Sequence, residues 1–162
     1  MKDVLPSRCS PASDTLSCRA VRGVDELAAH LRIRRTVFVQ EQSLFCVDDR
    51  DSHDDDALVV HVLGFVDAEP AGTVRLYPLG GGVWKGDRLA VLPEHRRAGI
   101  GAPLVRLAVA TAAAAGGHRM EAMVQAGNTA FFVQLGWSRV GEAAHHLGVP
   151  HQKMTIALCD KK

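Results

Sequence analysis

A chain of 162 residues, 47% hydrophobic and 23% charged, has material for one ordinary core and is too short for two domains of usual size. Its formal net charge of +1 supplies no field to gather DNA or an anionic membrane, so neither is expected as a partner and any anion site must be local. Four widely spaced cysteines (Cys9, Cys18, Cys46, Cys159) form no CxxC pair and no metal-ligand spacing with a histidine, which predicts reduced thiols, no metal and a soluble cytoplasmic protein.

Residues 1–14, MKDVLPSRCSPASD, lack the apolar core of a signal peptide and read as a poorly ordered tail ahead of a single domain over 15–162. LSCRAV (16–21) is a first strand. Val24, Leu27, Ala28 and Leu31 fall at i, i+3, i+4 and i+7, the apolar stripe of a helix opened by Asp25 and Glu26 and continuing into RRTVFVQEQ. DDRDSHDDD (48–56) is too acidic to pack on a core and reads either as a solvated loop or as a wall that draws a basic acceptor. ALVVHVLGFV (57–66), AGTVRLYPL (71–79) and VWKGDRLAVL (83–92) make three antiparallel strands, with GGG at 80–82 turning the chain.

Leu104, Leu107, Ala108, Thr111 and Ala115 form one face of an alanine-rich helix stopped by Gly116 and Gly117. HRMEAMVQA is a strand, NTAFFVQLG a short helix, and WSRVGEAA and HQKMTIAL are two last strands around a loop containing HHLGVP. The order β, α, β, β, β, α, β, α, β, β describes an α/β (α+β) domain: a mixed sheet flanked by helices.

Between the third antiparallel strand and the alanine-rich helix lies PEHRRAGIGAPLV (93–105). Unpaired N–H groups and the positive dipole end of a helix N-terminus together bind anions, and glycine lets a ligand approach the backbone. Arg96, Gly99 and Gly101 have the spacing R-x-x-G-x-G in that strand-to-helix context, and Arg97 adds a cation. No Gly-Lys-Ser/Thr follows and a third dinucleotide-fold glycine is absent, so neither the nucleotide P-loop nor the Rossmann fingerprint fits. Pro103 is tolerated in a first helical turn.

LAVLPEHRRAGIGAPLV together with N-x-x-A-F-F-x-x-L-G-W resembles the GNAT superfamily of acyl-CoA-dependent N-acyltransferases across most of residues 16–158. That resemblance implies the GNAT fold, a mostly antiparallel sheet of about seven strands with about four helices, and acetyl-CoA or another acyl-CoA as co-substrate. By the same carry-over the backbone of Arg96, Arg97, Ala98, Gly99, Ile100, Gly101 and Ala102 cradles the pyrophosphate. Leu89, Ala90 and Val91 lie along the pantetheine arm, Asn128 and Phe131 line the same cleft, and the Leu89 amide faces the thioester carbonyl. R-x-x-VFV-x-EQ, D-x-D-x-x-D (Asp49, Asp51, Asp54), VQA and GVPHQKM are similar to the ElaA/YjcF-like bacterial branch.

The implied reaction is direct acyl transfer to an amine of a small metabolite by a monomer or homodimer, with Arg34, Glu41, Gln42 and His151 as candidates for holding that acceptor. The family's usual tyrosine acid is Phe132 here, and a glutamate base found in some relatives is Lys85. Glu41 and His151 remain for proton handling; the plainer readings are a solvated helix-end charge for Glu41 and a structural hydrogen bond for His151. Tyr77, Trp84 and Trp137 read as packing residues, and His145 and His146 as loop residues. Two alternatives share the motifs: an acyl-homoserine-lactone synthase, and a non-catalytic acyl-CoA-binding module.

Overall fold

The computed structural model describes residues 14–158; all of the expected tail except Asp14, together with Cys9 and Cys159, lies outside the described residues. Strand β1 (Leu16–Ala20) leads into helix α1 (Gly23–Arg34), which continues without a break as a π-helical segment, Arg35–Glu41. Strands β2 (Val60–Val66), β3 (Glu69–Gly80) and β4 (Val83–Val91) form the expected antiparallel meander. Helix α2 (Gly101–Ala114), strand β5 (Arg119–Gln125), helix α3 (Thr129–Gln134) and strands β6 (Ser138–Arg139), β7 (Ala144–His146) and β8 (Val149–Ala157) follow. The sheet runs β1-β2-β3-β4-β5-β8-β6, with β7 also on β8, and β4 with β5 is its parallel junction.

Alternation along the strands sends side chains to two cores. Val62, Val74, Leu76 and Met120 pack under α2 with Leu104, Val105 and Ala108, while Leu63, Phe65 and Ala90 pack under α1 with Ala29, Ile33, Val37 and Phe38. Helix α1 turns a different face inward from the one its apolar stripe predicts, whereas α2 keeps Leu104 and Ala108 of its predicted stripe buried and Leu107 and Thr111 half-buried. In α1, Val24 is 81% exposed and Ala28 is exposed, and the buried positions are Ala29, His30, Ile33 and Arg34. Two of those four are polar, so hydrophobic periodicity points the wrong way. In α2 the buried set is Leu104, Val105, Ala108 and Ala112, and Ala115 is exposed.

The C-terminal region also differs. WSRVGEAA supplies only the two-residue β6, and HHLGVP is no loop: His145 and His146 stand in β7, joined to β8 by Leu147 and Gly148, whose φ angles of 53° and 75° make a tight hairpin. The acidic run also packs. It folds as a short 3-10 turn, Ser52–Asp55, capped by the Asp51 carboxylate.

Candidate active site

The 93–102 segment forms a 3-10 turn, Pro93–Ala98, then Gly99 at φ 82°, then α2. A left-handed residue there is natural for glycine, and nothing lies within 4 Å of where a Cβ would stand. No side chain caps the start of α2, so its first amides stay available to an anion. The Arg96 guanidinium is occupied inside the protein, donating to the Val91 carbonyl (3.2 Å) and to Glu41 (2.5 Å), whereas Arg97 is exposed. The Ile100 side chain is fully buried, leaving only its backbone for a ligand, and the Phe131 ring flanks Gly101.

Strands β4 and β5 pair only at Val83–Arg119, Trp84–Met120 and Lys85–Glu121. Beyond that they part. A bulge in β4 sets Arg88 at φ 54°, an uncommon conformation for a side-chain-bearing residue. Thr73 Oγ1 donates to the Arg88 carbonyl (2.9 Å), and the Arg88 guanidinium pairs with Asp49 (2.9 Å) and lies 5.1 Å from the Phe45 ring centre. These contacts hold the bulge that starts the divergence. The opening is a cavity of about 180 Å³ lined from β4 by residues 85–89 and from β5 by Met120 and residues 122–125. Phe38, Gln42, Leu44 and Phe45 close one side, and Asn128, Phe132, Trp137, His146 and His151 contribute from the C-terminal half.

Of the proposed residues, Leu89, Gln42, Asn128 and His151 therefore meet in one cavity, and Gln125 Nε2 donates to Gln42 Oε1 at 2.8 Å. The His151 ring is buried, and its Nδ1 lies 2.8 Å from the Val149 carbonyl. With the proton on Nδ1, Nε2 carries a lone pair. His146 stands edge-on to it at 5.3 Å, and partial burial, then the neighbouring His151, Lys85 and Arg88, push the His146 pKa down. Phe132 packs edge-on against Trp137 at 5.3 Å, and the buried Trp137 Nε1 has no hydrogen-bond partner among the described residues.

Of the residues expected along the pantetheine arm and its cleft, Ala90 is buried in the core under α1, and Val91 and Phe131 lie outside the lining. Of the four acceptor candidates, two also stay out of the cavity. Glu41 is exposed, lies outside the cavity lining and is paired with Arg96. Arg34 is wholly buried and spent on structure: Nε donates to Asp49 (2.7 Å) and the terminal nitrogens to Asp54 (2.7 and 3.0 Å). No acceptor reaches it.

The acidic run is the partner of that arginine and of two others. Arg75, also wholly buried, meets Asp51 (2.6 Å), Asp54 (3.2 Å) and Asp87 (2.7 Å), and Arg88 meets Asp49 and Asp51. Three guanidiniums thus face four carboxylates, and the segment read as a solvated loop or an attractive wall is a strap pinned across the sheet. Burial pushes the Asp54 carboxyl up, but hydrogen bonds from His61 and Arg34 outweigh it and hold the group well below the carboxylate range. Tyr77 has a packing role: its ring stacks on His53 at 4.0 Å, and burial, then Asp87, raises its pKa to about 12. The lining residues Phe38, Phe45, Arg88 and His146 escaped the sequence reading, since it is the π-helical segment with the loop after it, the bulge of β4 and the β7–β8 hairpin that bring them to the cleft.

A sheet parted at a parallel junction beside an uncapped helix start is the frame the motifs imply, and residues 24–137 match the Acetyltransferase (GNAT) family. The chain belongs to that family. As a GNAT protein it is an N-acyltransferase, and it is similar to several relatives over nearly their whole length. A provisionally assigned acetyltransferase of Bacillus subtilis (strain 168) is 26% identical over 141 residues, 86% of this chain and 95% of the relative. Escherichia coli ElaA is 23% identical with a TM-score of 0.75, covering 88% of this chain and 98% of ElaA. An aminoglycoside 6'-N-acetyltransferase crystallised with coenzyme A is 15% identical with a TM-score of 0.71, covering 91% of this chain and 99% of the other. At those identities the two structures speak for the fold.

Proposed function

We propose that this GNAT protein transfers an acyl group directly from acyl-CoA to the amine of a small acceptor, with His151 as the base. The observation that carries the reading is the parting of β4 and β5 after Lys85 and Glu121, which opens a cavity where Leu89 and His151 meet. The pyrophosphate lies on the amides of residues 97–102, and the thioester reaches along Leu89–Val91 into the cavity. The neutral amine attacks the thioester carbonyl, a C–N bond forms, and the oxyanion is held by the Leu89 N–H, a donor commonly worth ~3 kcal/mol. The C–S bond then breaks and the electron pair leaves with sulfur, while His151 Nε2 takes the proton lost by the amine. Phe132 has no proton to give, and a thiol pKa of ~8.5 lets the thiolate depart as such.

Titration calorimetry with CoA and acyl-CoA, followed by thiol release across a panel of amines, tests the reading. Amine-dependent CoA release supports it; binding with no release on any amine overturns the transfer step, and no binding overturns the site. Gly99→Val places a β-branched side chain at positive φ where phosphate is to sit. It should cost about 1–2 kcal/mol of stability and remove CoA binding while the circular dichroism stays that of the folded protein.

A further inference from the structure

The cavity does not stay on one face of the sheet. Lys85, Asp87, Met123, Gln125 and His151 reach it from the face that carries the strap, whereas Met120, Ala122 and Val124 belong to the core under α2. Val74, Val105, Ala108, Phe132 and Trp137 complete that second side. The polar half and the apolar half meet at the gap between β4 and β5, so the cleft passes through the sheet into a chamber beneath α2.

Small residues make the room. Ala108 and Ala122 are both buried in its wall, and the Met120 side chain covers the bare side of Gly86, with its Cε 2.7 Å from where a Cβ would stand. The whole opening measures about 180 Å³, and an apolar chamber of ~150 Å³ holds a six-carbon ring. An acetyl methyl would stop at the gap, whereas each further methylene would add contacts with Val74, Val105, Ala108 and Trp137, which line the far side of the opening.

Resting on the acyltransferase reading above, we propose that the donor is an acyl-CoA longer than acetyl-CoA, whose aliphatic tail passes between β4 and β5 into the chamber under α2. The amine is met on the polar face and the tail is stored on the apolar one. Ala108 and Ala122 set the chain length by the space they leave.

The test is titration calorimetry with CoA, acetyl-CoA, butyryl-CoA and hexanoyl-CoA. Affinity is expected to rise by about fourfold for each methylene that enters the chamber, so hexanoyl-CoA should bind at least ~30-fold more tightly than acetyl-CoA even if burial is incomplete. Ala108→Leu, or Ala122→Val should the first variant fail to fold, should abolish the hexanoyl advantage, and its binding of CoA shows that the protein is folded. Equal affinity for acetyl-CoA and hexanoyl-CoA, or a hexanoyl advantage untouched by both variants, would overturn the chamber while leaving the CoA site standing. Failure of CoA itself to bind would overturn the acyltransferase reading and the chamber with it.

Discussion

Around Arg75 each of three carboxylates lies within 3.2 Å of the guanidinium, whereas from Gly86 onward the neighbouring strand β4 has no partner in β5. The strap and the cleft are built on the same strands and treat polar groups in opposite ways. In the strap, charges taken out of water are matched to one another; in the cleft, the Trp137 ring nitrogen finds no partner among the described residues and the edge of β4 beyond Lys85 finds none in β5. The bulged Arg88 joins the two, since its side chain is fixed by Asp49 and Asp51 while its backbone turns β4 away from β5. The strap is thus the rigid support on which an incomplete site can be held.

The comparison is broken most severely at its closed end. Arg75→Met should leave Asp51, Asp54 and Asp87 facing one another and destabilise the fold by about 3–5 kcal/mol. Urea denaturation measures this, and a loss no greater than that of a surface substitution would show that the ion cluster is not what pins the strap. At the open end, His151→Ala should leave CoA affinity nearly unchanged while lowering kcat by roughly 100-fold or more. Steady-state kinetics with the cognate amine decide the matter: a normal kcat returns His151 to a structural role beside Val149.

His30 tests whether the closed region resists protonation. It is wholly buried beside His61, and burial drives its pKa down to about 3, with the Val74 carbonyl its one partner. Because the folded pKa lies below the ordinary ~6.5, the unfolded chain binds this proton first. Stability is full above pH 6.5 and is lost as the pH falls toward 3, by at most about 1.4 kcal/mol per pH unit. Chemical denaturation at pH 7.5, 6.0 and 4.5 should therefore show a steeper acid loss for the natural chain than for His30→Leu. Parallel slopes would mean that His30 is protonated without cost.

The open half of the molecule was far more legible than the closed half. R-x-x-G-x-G is local in sequence, because a phosphate loop needs its glycines and amides within one turn, and it lies at the start of α2 as expected. The strap was illegible because its meaning rests on pairing across 15–39 residues, as between Arg34 and Asp49 or Arg88 and Asp49; an acidic run looks solvated until the arginines arrive. The inward face of α1 failed for the same reason, since His30 and Arg34 occupy positions that hydrophobic periodicity assigns to water. The hairpin after β7 was hidden by Leu147, which adopts the left-handed conformation that Asn or Gly usually signals. Its misassignment as a loop kept His146 out of the site.

Glu41 marks the border between the two regimes and carries the smallest expected effect. Its carboxylate bonds to Arg96 at the edge of the phosphate loop, with the two side chains 33% and 45% exposed. A pair so open to water is worth about 0.2–1 kcal/mol, and Glu41→Gln can keep one hydrogen bond to the guanidinium. Stability, kcat and the affinity for CoA should therefore each change by less than about fivefold in equilibrium or rate, with any change in CoA affinity fading as salt screens the pair. A tenfold fall in kcat with unaltered CoA binding would place Glu41 among the reacting groups. The C-terminal end of the π-helical segment would then have to swing toward the cavity when the acceptor binds.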